Sequence, residues 1–270
     1  MKISRRTFIN WTGTGLLGTT VAGSIAAHAQ EQTTNMRQLA LGMPAATGIG
    51  RKYDANGKAL SFPGNTILCH LRHHPQAYAA MTNIVASLQA RIGSKNIAWT
   101  PPTSYHMTVF EGSLDLRRRP GDWPHLLSLD APLDACNRFI GNKLRKFELG
   151  IELPIQMVAD ESLATITGAH IPLRPIDAAE NRRLRSLRDR LSDVTGIRQC
   201  DHDGYKFHST FGYYIHQFDS IVEERRYQTE WLNAIRELRQ RVPVIALRAP
   251  EFCVFDSMDE FRPQFFLANR

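Results

Sequence analysis

Tyr105-His106-Met107-Thr108-Val109-Phe110 and Phe207-His208-Ser209-Thr210-Phe211-Gly212 repeat one pattern about a hundred residues apart. Each is His-x-Thr set in an apolar run of β-branched and aromatic residues, the composition of a half-buried strand. Side chains two apart on a strand point to the same face, so His106 projects with Thr108 and His208 with Thr210. If the two strands face each other, a pair of imidazoles and a pair of hydroxyls meet across one cleft. That equipment suffices for acid and base cleavage of a phosphodiester, with no metal required.

The surroundings of the two runs are alike as well. Ahead of the first, Thr66 to Leu71 reads as a strand and Gln76 to Ile92 as a helix, with Tyr78, Met81, Val85, Leu88 and Ile92 on one face and Gly93 as its stop. Ahead of the second, Phe147 to Val158 and Leu163 to Ile171 read as a hairpin turning at Asp160 and Glu161. A helix follows, capped by Asp177 and Glu180, lined by Leu184, Leu187, Leu191 and Val194 and ended by Gly196. Ser220 and Glu223 open a further helix with Tyr227, Trp231, Ile235 and Leu238, and strands over Val244 to Phe255 and Gln264 to Leu267 close the chain. Trp123 to Lys146 reads as a looser, partly helical connection. Helix then His-x-Thr strand thus occurs twice, a pseudo-repeat too diverged to see by residue identity.

The chain has 270 residues, 22% charged and 43% hydrophobic, which places it among ordinary globular proteins rather than disordered or membrane-embedded ones. Its start differs from the rest. Ser4-Arg5-Arg6-Thr7-Phe8-Ile9, a short Gly- and Thr-rich apolar stretch, and Ala27-His28-Ala29 match a twin-arginine export signal, residues 1–29, cleaved after Ala29. The expectation is a periplasmic or otherwise exported protein, handled by the twin-arginine machinery and keeping no membrane anchor. Gly13-Thr14-Gly15-Leu16-Leu17-Gly18 fits the dinucleotide pattern GxGxxG but follows no strand and has no acid behind it, so it carries no cofactor. Loss of residues 1–29 removes Lys2, Arg5 and Arg6 and no acidic residue, so the formal charge of +7 falls to +4, a balance that suits an anionic ligand.

Residues 30–62 read as an extended lead-in with a turn at Asp54, Asn56 and Gly57, and 63–270 as the folded domain. Cys69, Cys136, Cys200 and Cys253 match no zinc or redox spacing and are read as buried thiols or as one or two disulfides. Five arginines, Arg182, Arg183, Arg185, Arg188 and Arg190, make one helix basic; a solvated face is the expected role, RNA contact the other. Asp201-His202-Asp203 has metal-ligand chemistry, but three adjacent side chains seldom converge on one ion, so no metal site is assigned.

Ten histidines and a content of Ser plus Thr of roughly a tenth give about one His-x-Thr or His-x-Ser by chance. Two occur, each inside a strand and at equivalent places. Those motifs resemble the paired His-x-Thr of the 2H phosphoesterase superfamily, which includes the RNA 2',3'-cyclic phosphodiesterases once called 2'-5' RNA ligases. With the flanks Phe62-Pro63-Gly64-Asn65-Thr66, Glu111-Gly112 and Tyr213, the resemblance narrows to the DUF1868 branch and covers roughly residues 48 to 268. It implies an α+β fold of two pseudo-symmetric lobes, each an antiparallel sheet with outer helices, around a central groove. It also implies His106 and His208 as the catalytic pair, Thr108 and Thr210 as phosphate-binding hydroxyls, and no cofactor. Lys206, two residues before His208, is a candidate to share its face and neutralise phosphate, and Tyr105 and Tyr213 fall by strand parity on the opposite, core face. The expected function is hydrolysis of cyclic phosphates or 2',5'-linked phosphodiesters of nucleotides or short RNA by a monomer. A binder of phosphorylated ligands that has lost catalysis, and an RNA end-joining activity, are the alternatives.

Overall fold

The computed structural model describes residues 51–163 and 169–269. The expected export signal, the GxGxxG stretch and most of the expected lead-in lie outside the described residues. Among the described residues nine strands form two antiparallel sheets. β1 (Gly64–His70), β3 (His106–Leu114), β8 (Glu251–Ser257) and β9 (Glu260–Phe266) make a four-stranded sheet in the order β3-β1-β8-β9. β2 (Ile97–Trp99), β4 (Ile155–Ala159), β5 (Ala169–Pro175), β6 (His208–Tyr214) and β7 (Ile245–Leu247) make a five-stranded sheet ordered β2-β6-β5-β4-β7. With four α-helices among the described residues, α1 (Pro75–Ile92), α2 (Leu133–Leu144), α3 (Ala178–Thr195) and α4 (Ile221–Arg241), the fold is α+β. Among them, no helix is long and apolar enough to cross a membrane.

The lobes exchange strands. β2 leaves the first half to pair with β6, and β8 returns from the C-terminus to pair with β1, carrying β9 on its outer edge. The stretch Val244 to Phe255, expected as one strand, is therefore two strands in different sheets, separated at Arg248-Ala249-Pro250, where proline cannot continue a ladder. The hairpin also sits later than its sequence pattern suggests. Phe147 to Pro154 lies outside β4, and β5 runs on to Pro175, while residues 164–168 are outside the described set.

The helix signals hold closely. Asp177 caps α3 by accepting from the Glu180 amide at 2.8 Å, Gly196 ends it in the left-handed region at φ 74°, and Ser220 caps α4 through the Glu223 amide at 3.2 Å. Asp177→Ala leaves that amide unsatisfied and is expected to cost about 1 kcal/mol in urea unfolding, while Asp177→Asn costs less. Tyr227, Trp231, Ile235 and Leu238 of α4, with Leu184, Leu187 and Leu191 of α3, lie in the large core beneath the sheets. A second, smaller cluster of Tyr53, Phe62, Leu68, Ala98, Ile215, Cys253, Phe255, Met258 and Phe261 brings together residues of both sheets.

Within residues 51–62, part of the expected extended lead-in, Tyr53 and Phe62 belong to that second cluster and Ala59 packs against it, so this stretch is folded onto the domain. Tyr53 is 1% exposed, its bridge to Ala59 closes a loop, and the Asp54 carboxylate accepts from the amides of Asn56 and Lys58 at 2.9 Å each. The polar turn residues were legible, but the burial of Tyr53 and Phe62 on either side depends on β8 and β9, far away in sequence. All four cysteines are free thiols, three of them buried and Cys200 exposed.

Candidate functional site

Both His-x-Thr strands carry the same irregularity. Between β1 and β3, Leu68 faces Thr108 while Ile67 faces Phe110, so Val109 is an extra residue; between β5 and β6, His170 faces Thr210 while Ala169 faces Gly212, so Phe211 is extra. Each bulge lies three residues after its histidine. A bulge reverses the alternation of side chains beyond it. The residue five positions after each histidine, Glu111 or Tyr213, is thereby turned to the same face as the His and Thr, and the first seven residues of β3 and β6 share one burial sequence.

That shared face is a half-open cleft of about 580 Å³ between the sheets, whose lining includes His106, Thr108, Glu111, His208, Thr210 and Tyr213. The two histidines and two threonines singled out in the sequence thus meet in one place. Each imidazole is held alike: Nδ1 of His106 lies 2.6 Å from the Ser104 carbonyl and Nδ1 of His208 lies 2.9 Å from the Lys206 carbonyl. A carbonyl only accepts, so Nδ1 carries the proton and Nε2 is the nitrogen left for chemistry.

The environments differ. His106 stands against the Phe261 ring at 4.2 Å and opposite the wholly buried His70 at 6.4 Å between ring centres. Burial holds its pKa down to about 3; the Ser104 carbonyl opposes this, and the charges of His70, His208 and Lys52 add to it. His208 packs on the His170 ring at 5.0 Å and near that of Tyr205 at 6.3 Å. Burial lowers its pKa too, but the Lys206 carbonyl and the Glu111 carboxylate push back, with Lys52 adding slightly to the lowering. Tyr205 reaches across to share a hydrogen bond with Thr108, joining the second motif's approach to the first motif's hydroxyl.

Lys206 does not line the cleft. It precedes β6, where alternation does not yet apply, and it offers the site its carbonyl while its side chain is exposed. The cleft's ammonium group is Lys52, which lies 4.6 Å from the Tyr213 ring centre and 5.4 Å from that of Phe62. Tyr105 is core, as expected, at 2% exposed. Tyr213, expected beside it in the core, lines the cleft because the Phe211 bulge reverses its parity.

The basic helix serves the fold. Arg188 is buried and donates to the carbonyls of Val109 and His202; Arg185 donates to the Tyr205 carbonyl, and Arg190 to those of Glu148 and Leu149. Arg183 pairs with Glu180 and Glu152. Only Arg182 of the five makes no such contact among the described interactions, so the solvated face expected from the sequence is largely a set of internal ties.

Two groups of donor side chains come within 4.8 Å of one another among the described residues. Asp189, His202 and Asp203 form one, and the Arg198 guanidinium already bridges Asp189 at 3.1 Å and Asp203 at 2.6 Å. His70, Glu251 and Cys253 form the other, all buried. Its carboxylate is shared between His70 at 3.1 Å and His73 at 3.0 Å. Burial works against the Glu251 charge, but the His70 hydrogen bond and the charges of His70, His73 and Arg72 hold it below the usual carboxylate range.

Comparison with known proteins gives two matches. The fold is similar to the crystal structure of a conserved protein of unknown function from Agrobacterium tumefaciens strain C58, with a TM-score of 0.77 and 28% identity over 86% of this chain and 98% of that one. Nothing among the curated proteins matches. Residues 52–167, from Lys52 through the first His-x-Thr strand, match the family model 2H-phosphodiest, described as a domain of unknown function (DUF1868). Over residues 52–167 the chain is thus similar to the 2H-phosphodiest (DUF1868) family.

Proposed function

We propose that the protein is a phosphodiesterase that hydrolyses cyclic phosphates or 2',5'-linked phosphodiesters of nucleotides or short RNA, using His106 and His208 as its proton-transfer pair. One observation carries the reading. Two equivalent strands present an imidazole and a hydroxyl each to one cleft, and both imidazoles are tied at Nδ1 with Nε2 left over. A neutral imidazole removes a proton from water as the water oxygen bonds to phosphorus, while a protonated imidazole supplies one to the departing alkoxide. Thr108 and Thr210 hold non-bridging oxygens, whose charge grows in the transition state. Lys52 supplies the positive charge sought from Lys206. The twin-arginine pattern at the start supports export of the mature enzyme, and outside the cytoplasm scavenged nucleotides and other small phosphodiesters are the accessible substrates.

Turnover of 2',3'-cyclic nucleotides by the purified mature protein tests this, in the presence and absence of a chelator. Activity is expected to survive chelation. Strict dependence on an added divalent ion would move the chemistry to a metal site, with His70, Glu251 and Cys253 as the donors to vary first. Tight nucleotide binding in calorimetry without product would make the protein a binder. The pH dependence is a further expected outcome. One imidazole must be neutral and the other protonated, so kcat/KM peaks between their two pKa values. Burial holds both below the ordinary 6.5, hence the peak of kcat/KM lies on the acid side of neutrality and activity falls as pH rises past 7, where the acid has lost its proton.

A further inference from the structure

The two motif strands put the same residue types, His and Thr, into the cleft and differ at the next inward position. Five residues beyond His106 stands Glu111, and five beyond His208 stands Tyr213; both are turned inward by their bulges. One half therefore brings a carboxylate and the other a phenol. We propose that Glu111 is a positioning residue that keeps a proton on His208, which makes His208 the general acid and His106 the general base. This rests on the phosphodiesterase reading above.

The groups around each ring support the division. Facing His208 are the Glu111 carboxylate and the Lys52 ammonium across the cleft, His170 from β5, Tyr205 from the preceding loop and the Lys206 carbonyl. His170, largely buried and held down to about 3 by that burial and by His208, stays neutral beside it. Glu111 is thus the acidic side chain acting on His208, and Arg117 at 3.3 Å shares that carboxylate on its outer side while also pairing with Asp122. Among the described residues no acidic side chain acts on His106. Burial disfavours an imidazolium there, and so do His70, His208 and Lys52, all cationic when charged; the Phe261 ring packs against it at 4.2 Å. A base that is neutral across the working range and an acid stabilised by a carboxylate are the two states required.

The step balances. Nε2 of His106 accepts a proton from water, the water oxygen forms its bond to phosphorus, and the bond from phosphorus to the leaving oxygen breaks with its electron pair on that oxygen. That oxygen takes the proton from Nε2 of His208. His106 ends protonated and His208 neutral, and exchange with solvent through the open cleft resets both. A cyclic phosphate becomes a phosphomonoester with one water consumed.

The leaving group separates the roles. A p-nitrophenyl phosphodiester departs without needing a proton, whereas the alkoxide of a 2',3'-cyclic nucleotide does need one. His208→Asn is expected to lose roughly 10²-fold or more on the cyclic nucleotide and less than about tenfold on the p-nitrophenyl ester, while His106→Asn loses heavily on both. In wild-type enzyme the alkaline limb of kcat/KM belongs to His208. Glu111→Gln should move that limb to lower pH with the acid limb fixed, and Glu111→Asp should restore part of the shift. The converse pattern of leaving-group sensitivity, or a Glu111→Gln profile whose acid limb moves or whose limbs both stay put, overturns the assignment. Wild-type enzyme that turns over neither substrate sinks the phosphodiesterase reading itself, a different result from either.

Discussion

His106→Asn and His208→Asn are each expected to lower kcat/KM on a 2',3'-cyclic nucleotide by about 10²- to 10⁴-fold, the usual worth of a positioned proton donor or acceptor. Asparagine is the informative replacement. Its side-chain amide still reaches toward the carbonyl of Ser104 or Lys206 that each imidazole now engages, so the local backbone keeps its partner while the titrating nitrogen is gone. Because the two imidazoles act in one concerted step, the double variant should be little worse than the more damaged single one. Thermal unfolding of all three variants within a few degrees of wild type makes the loss chemical and not structural. Retention of more than about a tenth of wild-type kcat/KM in either single variant would remove that histidine from the proposed machinery.

Much of this cleft was legible in the sequence because strand alternation is a local rule. His106 with Thr108, and His208 with Thr210, each lie within one unbroken pleat, and two residues of spacing suffice to put them on one face. The rule fails one step later. A bulge is a property of two strands together, set by how β1 meets β3 and how β5 meets β6, so nothing local marks Val109 or Phe211 as extra. Glu111 and Tyr213 were lost to sequence reasoning for that reason. The signal that could have found them was the repeat itself, since both stand five residues after their histidines. Lys206 shows the opposite error, alternation extended past the end of the strand. Lys52 was out of reach, because its place in the cleft depends on Tyr53 and Phe62 packing with residues some two hundred positions away. The helices were read closely, as Asp177, Gly196 and Ser220 act on amides and carbonyls within four residues of themselves.

Arg188→Ala is expected to cost about 3 kcal/mol of stability, the largest loss among the arginines of α3. Arg188 is 3% exposed; its Nη1 donates to the Val109 carbonyl at 2.6 Å and its Nη2 to the His202 carbonyl at 3.2 Å, and its guanidinium lies over the Tyr205 ring at 4.2 Å. Val109 is the residue that the β1 to β3 register skips, so the guanidinium ties helix α3 to the bulge that turns Glu111 inward. The same group packs on Tyr205, which shares the hydrogen bond with Thr108. Alanine removes two charge-assisted hydrogen bonds and the ring contact, and leaves a buried space lined by two carbonyls. Lysine keeps the charge but cannot reach both carbonyls with a planar fork, so Arg188→Lys should lose a substantial part of the same stability. Methionine fills most of the volume with no donor, and the difference between Arg188→Met and Arg188→Ala separates packing from hydrogen bonding. Urea unfolding measures all three, and an Arg188→Ala protein within about 0.5 kcal/mol of wild type would show that the bulge stands without its arginine. If the bulge does depend on it, Arg188→Met should also shift the alkaline limb of the pH profile in the direction expected for Glu111→Gln, because both changes withdraw the carboxylate from His208, one by chemistry and the other by position.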